Sequence, residues 1–575
     1  MRKVILLAAL SVLILGALVL PAAAQQQADL SALAKYFPAD SAAYIGFRTD
    51  DATINAVNDL INRIQSIVPG TAAPDAFKTG LDTIASMEAP GATFADTIRP
   101  WAGDSGALGV ATLVSGGSQT AIFVLSVTDE AKANTFFNTL LTKENYTSQS
   151  ADGATVYTDP TNVTHSTYIV HDDAVVITND PAAIADNGVP TGSTLADDAD
   201  FKAALALLPA QDYAGIGYAN TPAILTAAIQ DRASTMSRAN AAGMQMVSSA
   251  LATLKPEAFG LTMLDQNTLA FDAALPYDPN SSSPFAMNMS GQPLDPAFVQ
   301  HIPANTPFVV EGTDLYDNYE AAVKNLQTLA QSMPQTNSRN GMSVKNLQTA
   351  LWGMGFLVRG LTGEEVGDAF GWMTGDYALS LGFSPSFSDA TSMLNATESN
   401  PVDFGITLAA TDAAAAQKVY DGLKRSLLDL PAENVTVKED TLDGGTPALV
   451  FTVQSPDMPF PLEILAATGN GVFAVGTRRM VTAAINPTSG LDTDTTYSTA
   501  SAYLLKNANT VLFLSGPALQ PLVRVMSGMT NPESVQQQGQ QLGLLLKLLD
   551  SASISVANLP NNGGRLARLV WTLPQ

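Results

Sequence analysis

Apolar positions along the chain switch repeatedly between strand and helix spacing. Ala43–Phe47 is a short apolar run after Pro38-Ala39-Asp40 and predicts a strand. Directly behind it Ile54, Val57, Ile61 and Ile64 recur at helical intervals, with Asp50 or Asp51 placed to accept from the free N–H groups of the first turn. The runs Ala107–Leu113 and Ala121–Val127 flank Ser115-Gly116-Gly117-Ser118, a strand, turn and strand. Thr128 or Asp129 then opens a helix over Glu130–Leu141, and Thr155–Thr178 supplies further strands. A helix through Ala203–Leu208, a strand at Tyr213–Tyr218 and a long helical region to Leu254 follow. The series closes with a hairpin of Phe259–Leu264 and Thr268–Leu275 around Asp265-Gln266-Asn267. Hairpins dominate, so the expected fold class is α+β, with helices packed on an antiparallel sheet.

The pattern then starts again. IRPWAGDSGALGV at Ile98–Val110 has a near copy, AFGWMTGDYALSL, at Ala369–Leu381, and other words recur in the same order. Pro38 matches Pro303, Gly103-Asp104 matches Gly375-Asp376, Thr128-Asp129 matches Thr411-Asp412, Asp173 matches Asn470 and Phe201 matches Tyr497. The spacing between matched words grows from 265 residues at Pro38 to 297 at Asp173, as expected where the second copy has gained loop residues. Phe308–Val310 is the second copy's first strand, and Asp314 is the candidate cap of a helix with the stripe Leu315, Tyr319, Ala322, Leu326 and Leu329. The expected organisation is a signal peptide at 1–24, a first repeat domain at 25–278, a Ser-, Asn- and Pro-rich linker at 279–296 and a second repeat domain at 297–575. Met333–Ser343 reads as a loop between helices.

The signal peptide rests on Arg2 and Lys3, the apolar run Val4–Leu20, Pro21 and Ala22-Ala23-Ala24 before three glutamines. Cleavage near Ala24 leaves no stable membrane span and places the protein outside the cytoplasmic membrane, in the envelope or beyond; retention of the run as an anchor is the alternative. With 28 basic and 53 acidic residues the formal charge is −25, and loss of Arg2 and Lys3 takes it to −27. That field excludes a nucleic-acid role. The 46% hydrophobic and 14% charged composition belongs to a folded chain, and zero cysteines exclude disulfides, thiolate metal sites and cysteine nucleophiles.

In order, an early Pro-Ala-Asp before a strand, Trp followed by Gly-Asp, Thr-Asp opening a helix and the late DDAVVITNDPAAI resemble the bacterial domain of unknown function 3352 family, in two tandem copies. The resemblance implies an exported or envelope-associated protein with no assigned reaction, and it carries no catalytic residue across.

Candidate chemistry is sparse. Gly103, Asp104, Gly375 and Asp376 recur at one place in both copies, which points to turn structure rather than to a single active site. His171-Asp172-Asp173 has ligand-type side chains, but its counterpart is Thr468-Gly469-Asn470-Gly471, a turn. On that reading a change of the three residues to Thr-Gly-Asn is tolerated. Asp197, Asp198, Asp200 and Asp492, Asp494 lack calcium-loop spacing and precede helices, where acidic groups favour the dipole. His165 and His301 stand alone. There is no G-x-S-x-G, H-E-x-x-H, phosphate loop or dinucleotide fingerprint.

No metal, cofactor or catalytic residue is therefore expected, and the protein is not read as an enzyme. The expected function is a non-catalytic envelope or extracellular protein that binds an unknown protein or serves as structure. The alternative is a carrier of an apolar small molecule or lipid, for which Met236, Met244, Met246, Leu251 and Leu254 suit a plastic lining. A carboxylate-dependent hydrolase is the distant third, with four tryptophans as scant material for stacking sugars.

Overall fold

Ala43–Arg48 forms strand β1, whose alternation sends Tyr44 into one face of a sheet and Phe47 into the other, both almost fully buried. The structure is a computed structural model that describes residues 29–70, 73–86, 91–112, 120–161, 166–185, 187–235, 254–277, 291–332, 358–384, 401–428, 434–454, 461–528 and 533–575. Outside them lie the expected signal peptide, the Ser115–Ser118 turn, linker residues 279–290, Met333–Ser343, His165, Met236, Met244, Met246 and Leu251. Among the described residues no helix is long and apolar enough to cross a membrane.

Contacts divide the chain into two compact units. The first is Met1–Ser283 with Leu559–Leu566, and the second is Pro284–Asn558 with Ala567–Gln575. In the first, β1 lies between β2 (Ala102–Thr112) and β8 (Gly215–Ala219), antiparallel to both, with Gly46 opposite Ala107 and Ile216. From β2 the sheet continues through β3 (Thr120–Val127), β7 (Ala174–Thr178), β6 (Thr167–Val170), β5 (Ala154–Thr158) and β4 (Thr147–Ala151). From β8 it continues through β9 (Glu257–Asp265) and β10 (Thr268–Pro276). Every pairing is antiparallel, as the hairpin-rich sequence predicts.

The second unit repeats the order. Strand β11 (Phe308–Thr313) lies between β12 (Asp376–Phe383) and β18 (Ala508–Ser515), with Glu311 opposite Ala378 and Val511. Then come β13 (Val402–Ala409), β17 (Val472–Gly476), β16 (Leu462–Gly469), β15 (Pro447–Val453) and β14 (Val435–Thr441) on one side, and β19 (Ser551–Asn558) on the other.

The recurrent sequence words make the same bonds in both units. Pro38 bridges Thr194 and Pro303 bridges Gly490, while Ser41 and Thr306 each donate a hydroxyl to the proline carbonyl at 2.6 Å. Trp101 and Trp372 are buried and donate their indole N–H to Thr97 O and Ala369 O at 2.8 and 2.7 Å. Thr128 and Thr411 donate their hydroxyls to the carbonyls of Trp101 and Trp372. The next residue caps a helix: Asp129 accepts from Lys132 N–H, and Asp412 from Ala414 and Ala415 N–H. The Trp and Thr-Asp words thus fasten the residues just before β2 and β12 to a helix start.

Both sheet faces are covered. Helix α1 (Asp51–Ile67) is capped by Asp50, which accepts from Thr53 N–H and holds Arg48 in a buried ion pair at 2.7 Å. Its buried stripe is Ile54, Val57 and Leu60, with Ile61 half-buried. Helix α2 (Glu130–Thr142) lays Phe136 and Phe137 on Trp101 and Tyr168; burial of side chains this size stabilises by about 1.5–3 kcal/mol each. The opposite face packs Tyr44, Ala107, Val124 and Phe201 under the 3-10 turn Ala32–Tyr36. In the second unit Trp372, Val419, Tyr420 and Phe473 form one core, and Val309, Ala378, Tyr497 and Phe513 the other.

Some details depart from the sequence pattern. β4 and the 3-10 turn Ala32–Tyr36 carry no apolar periodicity that announces them. Ala322 is exposed rather than part of the stripe in Leu315–Ser332, and the side chains of Leu326 and Leu329 lie outside the description. Asp314 takes φ 55°, and its carboxylate accepts from Gln292 N–H at 3.0 Å. Within the expected linker, Leu294 N–H donates to Ala508 O at 2.8 Å and Asp295 N–H to Asp376 at 2.7 Å, so 291–296 is fastened to the second unit.

Candidate functional site

The four recurrent Gly and Asp residues fall at strand starts. Gly103 and Asp104 lie in β2 where its register with β3 shifts, and a Cβ on Gly103 would collide with the Ser126 hydroxyl. Asp104 is exposed and ion-paired to Arg99 Nη2 at 2.7 Å. Gly375 lies against Ala409 and Thr411 and accepts from Asp314 N–H through its carbonyl. Asp376 opens β12, and no cation among the described residues partners it; burial, with the charges of Asp295 and Asp314, pushes its carboxyl up to about 6 against the hydrogen bond from Asp295 N–H. The two aspartates share a place in sequence but not an environment.

His171, Asp172 and Asp173 lie together at the β6–β7 turn and, among the described residues, are a group whose ligand atoms could meet at one metal ion. Both oxygens of Asp173 already have donors. Lys35 Nζ lies 2.5 Å from Oδ2, and Tyr36 Oη and His171 Nδ1 bond to Oδ1. Partial burial raises this carboxyl, but the bonds from Lys35, Tyr36 and His171 outweigh it and hold Asp173 well below the usual range. The residue therefore ties the 3-10 turn Ala32–Tyr36 to the sheet, and Lys35 supplies the positive charge that a metal would bring. Thr-Gly-Asn in place of the three would lose the Asp173 bonds to Lys35 and Tyr36. Asn470 and Gly471 turn with φ 48° and 78°, a geometry that His171, Asp172 and Asp173 do not adopt, and Asn470 bonds to Ile485 O instead.

Asp198, Asp494 and His301 among the remaining candidates have structural partners. Asp198 accepts from Phe201 N–H at 2.7 Å, and Asp494 from Thr496 and Tyr497 N–H at 2.9 and 3.0 Å, as helix-start carboxylates do. His301 is buried with Nδ1 2.7 Å from Ala484 O.

A different place has the character of a site. Each unit carries a cleft between the segment before its first strand, the helix after the Asp cap and the strand that flanks β1 or β11. In the first unit it has about 640 Å³ and is lined by Asp29, Leu30, Ser31, Leu205, Leu208 and Ile216 among others. In the second it has about 370 Å³, and Leu294, Asp295, Pro296, Ser501, Leu504 and Val511 occupy the same topological places. The volumes fall in the range of small-molecule pockets.

The floors differ. In the first unit the floor is sealed beneath the cleft: Gly46 lies against the Leu30 carbonyl, which accepts from the buried Tyr44 hydroxyl, and Phe201 packs edge-on to Tyr44 with centroids 5.5 Å apart. Any side chain at Gly46 would strike that carbonyl. In the second unit Val309 replaces Tyr44, Glu311 replaces Gly46 and Tyr497 replaces Phe201. Glu311 is 2% exposed and lines the cleft, and the Tyr497 hydroxyl donates to its Oε1 at 3.3 Å. Tyr497 is held by an edge-on contact with Phe513, centroids 5.0 Å apart. Burial pushes the Glu311 carboxyl up to about 7, the Tyr497 bond pulls it down, and the Asp376 charge adds to the rise. Among the described residues Tyr497 makes the one hydrogen bond that Glu311 receives, and it is a long one.

Sequence reasoning passed over Glu311 because it sits in the apolar strand FVVEGT. Its signal is parity: it shares a face with the fully buried Val309 and stands where the first copy has Gly46.

A family model described as Protein of unknown function (DUF3352) matches residues 3–562. No curated protein and no solved structure matches the chain.

Proposed function

We propose that this chain, which belongs to the DUF3352 family, is an exported, non-catalytic binding protein built from two ancient copies of one unit, each keeping a cleft in the same place. The cleft that recurs between matched elements carries the reading, because a surface feature retained while its lining residues change is what a pair of binding sites with different occupants requires. The common strand order and the shared Pro, Trp and Thr-Asp bonds support the duplication. Export rests on Arg2, Lys3, the apolar run and Ala22-Ala23-Ala24.

Absence of catalysis has physical support in the clefts. Neither lining contains a histidine, and the chain has no cysteine, so the commonest general base and the thiol nucleophile are missing from both clefts. Native mass spectrometry of the protein taken from its own host is the test. A polypeptide or small molecule retained in stoichiometric amount supports binding, and a lipid there selects the apolar-carrier alternative. A chain that comes free of any ligand and whose cleft-filling variants replace it fully in the host overturns the reading.

A further inference from the structure

Glu311 poses a specific question of partner chemistry. A carboxylate buried without a cation costs several kcal/mol in effective desolvation, and one long hydrogen bond from a neutral phenol does not offset that. The first unit avoids the cost with glycine and a backbone carbonyl at the same position. In the second the acid faces a cleft whose other charged lining groups are Asp295, Asp492 and the exposed Lys506, in a chain of net charge −25. The walls near it are apolar: Leu294, Val299, Leu504 and Val511.

We propose that the cleft of the second unit binds a small primary amine, with its ammonium group on Glu311 and its short hydrocarbon body against Leu294, Val299, Leu504 and Val511. This deepens, and rests on, the binding function proposed above. An ammonium donates a charge-assisted hydrogen bond to the carboxylate and supplies the counter-charge that the fold omits. The acidic field of the whole chain concentrates cations near the opening. The first unit has no carboxylate at Gly46, so it does not share the specificity, and the chain takes one equivalent.

Calorimetry on the full chain at pH 7 tests this with n-pentylammonium and 1-pentanol as probes. The expected result is one equivalent of pentylammonium bound at least about tenfold more tightly than pentanol. Binding releases roughly half a proton from Glu311, seen as a heat that changes with the ionisation enthalpy of the buffer. Glu311→Gln keeps a polar side chain for Tyr497 and is expected to lose at least about tenfold in pentylammonium affinity, together with the buffer dependence. The proton release is read on the unaltered protein, so the test stands even if the variant folds poorly. Equal binding of pentanol, two equivalents of pentylammonium, or a Glu311→Gln protein with unchanged affinity overturns the amine assignment. So does failure of both probes, and a ligand retained in native mass spectrometry would then leave the binding function standing without it.

Discussion

The hydroxyl of Tyr497 reaches Glu311 across 3.3 Å beside the buried core of Val309, Ala378 and Phe513, and it is the acid's one protein hydrogen bond among the described residues. This sets a pH dependence. An acid raised from 4.5 to about 7 on folding contributes stability that is fully present below 4.5 and lost as pH rises through about 7. Asp376, raised from 3.8 to about 6, acts in the same direction. The second unit is therefore expected to be less stable at pH 8 than at pH 5. Glu311→Gln should raise the denaturation midpoint at pH 8 and change it little at pH 5, which urea titrations at the two values would read. A variant with no gain at pH 8 would show that Glu311 is ionised and satisfied in the fold.

Asp173 has the opposite sign. Its carboxyl is held below the ordinary 3.8, so its contribution is present above 3.8 and lost as pH falls through the lower folded value. Asp173→Ala is expected to destabilise the first unit by about 1 kcal/mol, kept small because nearly half of the side chain meets water. Asp172→Ala should cost less, since Asp172 bonds to neither Lys35 nor Tyr36. Zinc or calcium should leave the melting temperature of the parent unchanged; a metal-dependent rise that vanished with Asp173→Ala would restore the ligand-cluster reading.

Thr128→Val and Thr411→Val remove the same bond in the two units. Each is expected to cost about 1 kcal/mol, because a hydroxyl donor to a tryptophan carbonyl disappears while the side-chain volume stays. Similar losses in both variants, read by chemical denaturation, would establish that the paired words serve the fold. A loss confined to one of them would separate their roles.

Gly46→Ala places a methyl against the Leu30 carbonyl oxygen, part of a backbone segment that the Tyr44 hydroxyl also holds. The clash should destabilise the first unit by about 1–3 kcal/mol. Thermal unfolding checks it, and a neutral outcome would mean that the segment around Leu30 yields easily.

The fold was legible wherever burial imposed a period. β1, the Asp50 and Asp129 caps, the strands after Trp101 and Trp372 and the hairpin Glu257–Pro276 follow from alternation and capping chemistry. β4 was not legible, because Thr147–Ser150 is exposed and buries no apolar side chain that would impose a period. The bonds of Asp173 were hidden for a related reason. Its partners Lys35 and Tyr36 lie more than 130 residues away in sequence, and nothing local announces them. Glu311 needed the two copies laid side by side, since only the contrast with Gly46 marks it.

Leu559–Leu566 belongs to the first unit, and the carbonyl of Gly563 there accepts from Tyr277 N–H at 3.0 Å. A chain made from its N-terminus therefore cannot complete its first unit until Leu559–Leu566, far along the sequence, has been synthesised. At about 5–20 residues per second the wait is on the order of tens of seconds. Throughout it the β10 end of the first unit lacks its final segment and lies open to wrong pairing. Premature termination before Leu559 should consequently damage the oldest part of the chain as well as the youngest, and any chaperone that serves this protein has its work set at the start of the sequence by residues still to come.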